Sequence, residues 1–546
     1  MKSRTDYITD AMEKVECVKI TQPFVPDNLI VKGAIEITVN LLTLNFEVEV
    51  YSPYPFQYHD LETIRFVNKA LIKYDHVNGD GSICVHTLHS PDLATKIALD
   101  LNSLKHWINK YFINRQKDVH YEHIVVSPSG TGKSQALWFT DVNYLFSKGE
   151  FGQFHFSMLS TGNVNNEVVQ TFILQEFRFK NQEVKSLWNK NYKQLNQSTG
   201  IFLFIGNPPV TNRRFAVSNW QDLEPFVGQD FFKYLHHFEV NLKKNSSKTS
   251  ELKLILGYHI EKNEIHWQCI NLPVGNFPNY AEKTGPKTYQ GRFKDKLIDW
   301  MHTKNCSPKY FFGRGTLSKK LTDSRILVIG IGAIGSMLCT TLIRGGCLNL
   351  FLNDHDVKEA DNVCRSEYQF SSGMVSKVYE LRNQLLLISP FAEINGNEEL
   401  TDIIKRYSKE DNWQAALQEA LNNFDYIFDC TTDNDLAYIF SQLTIKPEVI
   451  NISITNHAKE LVCVFKQNQY DWLMEIFKSL NNDIMDLYNP TGCWSPTFKA
   501  SYNDISVLIQ FALKQINQAL TKERPLKNFY LSTSEEDGFE IKLNQF

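Results

Sequence analysis

The stretch VIGIGAIGS places Gly330, Gly332 and Gly335 directly after the apolar run ILVIG and ahead of a helix-forming run. Glycine permits a tight turn and close approach of backbone to phosphate. A helix starting there presents unpaired amides and the positive end of its dipole to an anion. An acidic residue about twenty positions later would bond a ribose hydroxyl, and Asp354 in LFLNDHDV occupies that position. A second candidate, IVVSPSGTGKS, ends in Gly132, Lys133 and Ser134 as a phosphate loop does, but has Ser127 where that motif has glycine. Its Pro128, Gly130 and Gly132 suit a turn between strands. The later glycine turn is therefore the nucleotide candidate. A thiol could act as a nucleophile in YNPTGCWSPTF, where Cys493 follows Pro490 and Gly492 in a stretch that reads as exposed and irregular. The alternative is a cysteine packed beside Trp494.

Taken alone, the glycine spacing fits a dinucleotide-dependent oxidoreductase as readily as any other nucleotide enzyme. The next stretch, NDHDVKEADNVCRSEYQFSSGMVSK, resembles the ThiF-type adenylating domain shared by sulfur-carrier activating and ubiquitin-activating enzymes. In that family a D-x-D pair precedes N-x-x-R and then a lysine, matched here by Asp354, Asp356, Asn362, Arg365 and Lys377. An aspartate in a D-C-T-D-N turn follows a later strand; YIFDCTTDND is similar with one extra threonine, which maps Asp433 onto it. The resemblance implies ATP and Mg2+ as cofactors. Gly330, Gly332, Gly335 and Asn362 would line the nucleotide, Arg365 and Lys377 would hold its phosphates, Asp354 its ribose, and Asp433 the metal. Cations at those places offset phosphate charge while a carboxylate attacks the α-phosphorus to give an acyl adenylate. There are departures: DNDLAYIFSQL lacks the family's arginine, the short G-x-x-K is stretched to Gly373 and Lys377, and the zinc-binding cysteine pairs of some relatives are missing. Cys339, Cys364 and Cys430 fall within nucleotide-fold elements and read as structural.

HVNGDGSICVHTL resembles the active-site stretch of ubiquitin-conjugating enzymes, where H-P-N precedes a G-x-I-C nucleophile. His76, Asn78, Gly81, Ile83 and Cys84 match, Val77 replaces the proline, and the spacing is about two residues short. By that resemblance Cys84 carries a thioester and Asn78 supports the oxyanion formed when an amine attacks it; the alternative for Asn78 is a turn-stabilising role. His76 reads as a brace for the loop, and His86 lies two positions beyond the thiol. A conjugating module first and an adenylating module last resembles the bacterial fused activating and conjugating enzymes of antiphage CBASS operons. That implies adenylation of a protein C-terminal carboxylate, capture on Cys493, transfer to Cys84 and delivery to an amine. The implied partners are a cGAS-like nucleotidyltransferase bearing the carboxylate, an amine-bearing acceptor, and a second copy of the chain in a homodimer. Arg314 is a candidate for an arginine lent across that dimer. A sulfur-carrier adenylating enzyme, with Cys493 holding a persulfide, and a non-enzymatic scaffold are the other classes.

These residues require an α/β multidomain chain. A helix from about Thr5 to Val15 and alternating strands in LIVKGAIEITV and LLTLNFEVEVY would precede Cys84, with a long helix from Pro91 to Phe112 after it. The expected division is a ubiquitin-conjugating-like α+β domain over 1–118, an α/β linker domain over 119–312, and a Rossmann-like adenylating domain over 313–546. Strand-like GIFLFIGNPP, LKLILGYHI and EIHWQCINL lie in the middle segment. A length of 546 residues suits about three cores. Hydrophobic content is 42% and charged content 22%. No apolar run reaches the roughly 18 residues of a membrane span, and MKSRTDYITDAMEKVE has no secretory apolar block. The expectation is a soluble cytoplasmic protein without membrane contact. Ten scattered cysteines with no C-x-x-C pair argue against disulfides or a four-thiolate zinc site. A net charge of −4 gives no reason to expect nucleic acid.

Overall fold

The computed structural model describes residues 2–58, 62–85, 87–116, 131–164, 166–211, 215–244, 251–261, 264–397, 413–465, 469–480 and 498–546. The chain divides into two compact units: Met1–Lys185 with Leu195–Asn305, and Ser186–Gln194 with Cys306–Phe546.

In the first unit, α1 (Arg4–Glu13) opens on a reciprocal cap, Asp6 N donating to Ser3 Oγ and Ser3 N to Asp6 Oδ2. Its Ile8, Ala11 and Met12, spaced as one helical face, are buried. Four antiparallel strands follow in sequential order: β1 (Val18–Asp27), β2 (Ile30–Val39), β3 (Leu42–Tyr51) and β4 (Ile64–Val67). Period-two alternation puts Ile35, Ile37 and Val39 of β2, and Phe46, Val48 and Val50 of β3, in one core. α2 (Leu93–Trp107), capped by Asp92, closes that core with Ile97, Leu101 and Leu104 and runs into a π-helical turn, Ile108–Ile113. The loop between β4 and α2 carries Cys84.

The middle segment is richer in strand than the sequence suggests. Strands Thr131–Phe139, Trp300–Asn305, Glu264–Pro273, Glu251–Glu261, Gln197–Gly206, Phe151–Val164 and Glu167–Phe179 lie side by side in that order. Thr131–Phe139 also pairs with Glu167–Phe179, from Gln135↔Gln170 to Trp138↔Ile173, so the seven close into a barrel. Phe146, Phe154, Phe177, Phe202, Phe204 and Trp267 belong to one core cluster to which all seven strands contribute. The helix Gln229–Lys244 covers the opposite face of part of the sheet through Phe231, Phe232 and Leu235. Of the stretch expected to form a turn, residues 127–130 lie outside the described residues, and Gly132, Lys133 and Ser134 are in a strand. In that strand, which starts at Thr131, Gly132 pairs with Met301, and this commits their backbone to a ladder instead of wrapping it around an anion.

The second unit holds the expected doubly wound sheet. Its elements are β5 (Arg325–Ile329), α3 (Ala333–Arg344), β6 (Asn349–Asn353), α4 (Lys377–Ile388), β7 (Glu393–Asn397), β8 (Tyr426–Asp429), α5 (Asn434–Gln442), β9 (Glu448–Thr455), β10 (Glu460–Phe465), α6 (Tyr502–Thr521), β11 (Phe529–Ser534) and β12 (Glu540–Gln545). The strand order is β7-β6-β5-β8-β9-β10-β11-β12, parallel through β9 and antiparallel beyond. Ile326 and Val328 face a core shared with α3 and α6, while Leu327 and Ile329 face α5, so the central strand is apolar throughout. The connection reverses between β5 and β8, and ligands of such sheets gather at that point, outside the carboxyl ends of the strands.

Candidate functional site

At that reversal, Ile329 is in register with Asn353 on one side and Asp429 on the other. The three glycines beyond it differ in what they require. Gly330 has φ +78, and a Cβ there would lie 2.8 Å from Thr431 Cγ2, so the turn after β5 packs on the turn after β8. A Cβ on Gly335 would come within 2.1 Å of Gly330 O, which lets α3 start directly beneath the turn. A Cβ on Gly332, the residue before α3, would meet no heavy atom within 4 Å. Open space there, above the first amides of the helix, is where an anion would fit.

Asp354 is buried directly after β6. Its Oδ2 accepts from Ile331 N (2.9 Å) and its Oδ1 from Asp356 N (2.8 Å), so it clamps the glycine turn. Burial pushes its carboxyl above the usual range, against the opposing pull of Lys377 and those amides. Tyr368, which sequence reasoning missed, holds the turn from the other side: its buried hydroxyl donates to Ile331 O at 2.5 Å. Nothing in the sequence near Tyr368 signals this, because the partner lies 37 residues away.

Lys377 Nζ lies 2.7 Å from Asp356 Oδ2. Asn362 Oδ1 accepts from Glu359 N and closes the short turn Ala360–Arg365. Arg365 Nη1 donates to Phe498 O at 3.3 Å, and its guanidinium sits 5.6 Å from the Phe498 ring centroid. Cys364 is exposed, which corrects its reading as a packed structural thiol; the turn that carries it lies on the surface. Cys339 and Cys430 are buried, and burial pushes both thiols up. The segment 358–376 is fastened to α4 by a pair the sequence did not reveal. Lys358 Nζ lies 3.0 Å from Glu380 Oε2 and donates to Gln369 O and Ser372 Oγ.

Asp433 caps α5: its Oδ1 accepts from Asp435 N (2.9 Å) and Leu436 N (3.2 Å). The threonine that this chain has beyond the family's pattern is absorbed at Thr432, which takes φ +58. One carboxylate beside phosphate oxygens and water is a donor set that suits Mg2+, and Oδ2 is not used in capping the helix, so Asp433 fits that role. Among the described residues, Asp354, His355 and Asp356 are the one group with three ligand atoms within 4.8 Å of one another.

In the first unit, Cys84 is half-buried, its amide donating to His76 O (2.9 Å). Burial, and then the Glu62 carboxylate, push its thiol up to about 11. Asn78 Nδ2 donates to Ser82 Oγ (2.9 Å), and its backbone bonds Ser82 and Gly81, so at rest its amide braces the turn. His76, at φ +58, packs its ring 4.7 Å from that of Tyr111. Cys493 and His86 lie outside the described residues. Arg314 is exposed. No helix among the described residues is long and apolar enough to cross a membrane.

Residues 308–453, which contain the glycine turn, Asp354, Lys377 and Asp433, match the model of the ThiF family. The chain thus carries a ThiF domain, as the motif in that stretch led us to expect. Over 340 residues the chain is 23% identical to the ATP-dependent ubiquitin transferase-like protein Cap2 of Enterobacter hormaechei subsp. hoffmannii, covering 57% of this chain and 54% of that protein. Over 128 residues it is 30% identical to the adenylyltransferase and sulfurtransferase MOCS3 of Drosophila yakuba, covering 23% of this chain and 26% of that one. Among solved structures it aligns with PaaA at a TM-score of 0.30 and 17% identity, over 42% of this chain and 65% of that chain. It aligns with E. coli MccB bound to ATP at 0.29 and 14%, over the same shares. The chain therefore spans about half the length of the transferase-like relative and just under two thirds of the two solved chains.

Proposed function

We propose that the chain activates a C-terminal carboxylate with ATP and passes it along two thiols to an amine. The observation that carries the first step is the open space at Gly332, between the first amides of α3 and a turn clamped by Asp354, inside the stretch that matches the ThiF model. Gly330, Gly332 and Gly335 shape the phosphate seat, Asn362 and Arg365 flank it, and Asp354 faces the ribose. Lys377 exchanges its bond to Asp356 for phosphate oxygens. Asp433 would hold Mg2+, which when bound offsets charge on the phosphates. The carboxylate attacks the α-phosphorus and pyrophosphate leaves. The sulfur of Cys493 attacks the acyl carbon, and the bond to AMP breaks. Thiol exchange moves the acyl group to Cys84, and an amine then forms an amide as the carbon–sulfur bond breaks and the nitrogen loses a proton.

Segments 1–118, 119–312 and 313–546 would share this work as conjugating, linking and adenylating parts. The Cap2 likeness, together with a helix and four-stranded meander ahead of Cys84, supports assigning conjugation to the first. A cGAS-like nucleotidyltransferase is the proposed carboxylate donor, in antiphage defence in the cytoplasm, with the enzyme a homodimer. The test is to incubate protein with ATP, Mg2+ and that donor, and to follow pyrophosphate exchange and a reductant-sensitive adduct. Exchange without any adduct on Cys493 or Cys84 would reject the thiol relay. The MOCS3 likeness favours one second reading, sulfur transfer, in which Cys493 would carry a persulfide, detectable as a mass gain of one sulfur atom.

A further inference from the structure

A series of hydrogen bonds runs from the inside of the sheet to Asp433. Ser453 Oγ donates to Asn451 Oδ1 (2.7 Å), and Asn451 Nδ2 donates to Asp429 Oδ2 (2.9 Å). Thr431 donates twice to Asp429 Oδ1, from Oγ1 (2.6 Å) and from N (3.1 Å). Asp433 N then donates to Thr431 Oγ1 (3.1 Å). Asp429 is 0% exposed, and Asn451 and Ser453 are 1% exposed each.

A buried carboxylate is costly, and a turn of this kind could be closed by an amide or a hydroxyl. The geometry requires a carboxylate here because both oxygens receive donors. An asparagine would offer one acceptor and turn its own amino group toward either Thr431 or Asn451. The bonded turn is also strained, since β-branched Thr432 sits at φ +58, a conformation that persists only when the surroundings over-determine it. On its other side Thr431 packs against Gly330, so the same threonine fixes the spacing of the two turns.

Building on the assignment of Asp433 as the metal ligand, we infer that Thr431, braced by Asp429 and Asn451, is a positioning residue that aims the Asp433 carboxylate at a divalent cation. Thr431→Val removes the hydroxyl and keeps the shape, whereas Thr431→Ser keeps the hydroxyl. Mn2+ binding is read by electron paramagnetic resonance in the presence of a non-hydrolysable ATP analogue, with nucleotide binding without metal and thermal unfolding measured in parallel. Thr431→Val should weaken Mn2+ about tenfold, in line with the loss of an outer-shell partner. Thr431→Ser should stay within about twofold of the parent, and metal-free nucleotide binding should be unchanged. Asp429→Asn, isosteric and breaking the same series, should match Thr431→Val. Equal Mn2+ binding by Thr431→Val and the parent, or equal weakening by both Thr431 variants, overturns the relay while leaving Asp433 as a ligand. Equal binding by Asp433→Asn and the parent overturns the metal assignment itself.

Discussion

Cys84 is a thiol held in its protonated form. Burial is the larger cause and Glu62 adds to it, raising the thiol from 9.0 to about 11. Because the folded value lies above the unfolded one, the stability linked to this proton is full below pH 9.0 and is lost as pH rises through about 11. The same shift governs reactivity, since the thiolate is the nucleophile. Alkylation of Cys84 by iodoacetamide, followed by peptide mass, should be slow at neutral pH and rise about tenfold per pH unit up to that value. Glu62→Gln removes the negative charge and should speed alkylation at pH 8 several-fold, roughly as a shift of half a unit or more requires. An unchanged rate would mean that Glu62 does not act on the thiol. The glycine turn and Asp354, read from type and spacing as parts of one candidate site, do lie together where the parallel sheet reverses, because their motif is contiguous with its strand and helix. Glu62 was not legible in this way, because 22 residues separate it from Cys84 and only the packing of β4 and its loops brings them together.

At the scale of elements, the glycine turn predicts three different outcomes from one kind of substitution. Gly330→Ala forces a Cβ against Thr431 at a positive φ, and Gly335→Ala drives one into Gly330 O. Each should lower stability by about 2–4 kcal/mol in urea unfolding, the sum of strain and overpacking. Gly332→Ala meets nothing and should change stability by less than about 1 kcal/mol, yet it should abolish nucleotide binding by filling the seat. Tight ATP binding by Gly332→Ala would place the phosphates elsewhere. The Lys358–Glu380 pair, 2% and 4% exposed, makes a second prediction. Lys358→Met leaves a buried carboxylate unpaired and should cost about 3–5 kcal/mol, with part recovered in the Lys358→Met/Glu380→Met double variant. Equal stabilities of the two variants would contradict that coupling. The doubly wound sheet was readable because its strand, turn and helix are contiguous in sequence. The barrel was not, because its closure pairs residues 135–138 with 170–173 and places Trp300–Asn305 beside Thr131–Phe139, contacts that local patterning does not encode. The same non-local pairing holds Gly132 in a strand beside Met301.

For the whole molecule, the proposed relay places its two thiols on one chain, Cys84 near one end and Cys493 near the other. Transfer between two thiols of one chain is an intramolecular step, so it should proceed at a rate independent of protein concentration. Mixing a Cys84→Ser chain with a Cys493→Ser chain separates the possibilities. If transfer stays within a chain, the mixture at micromolar concentration should be about a hundredfold or more slower than the parent, and its rate should rise in proportion to concentration. If the homodimer passes the acyl group across its two copies, the mixture recovers a fixed fraction of parental rate that dilution does not change until the dimer itself dissociates. A parental rate that itself falls on dilution, in step with that of the mixture, would show that the tether contributes nothing, and that the two thiols meet only as separate molecules do.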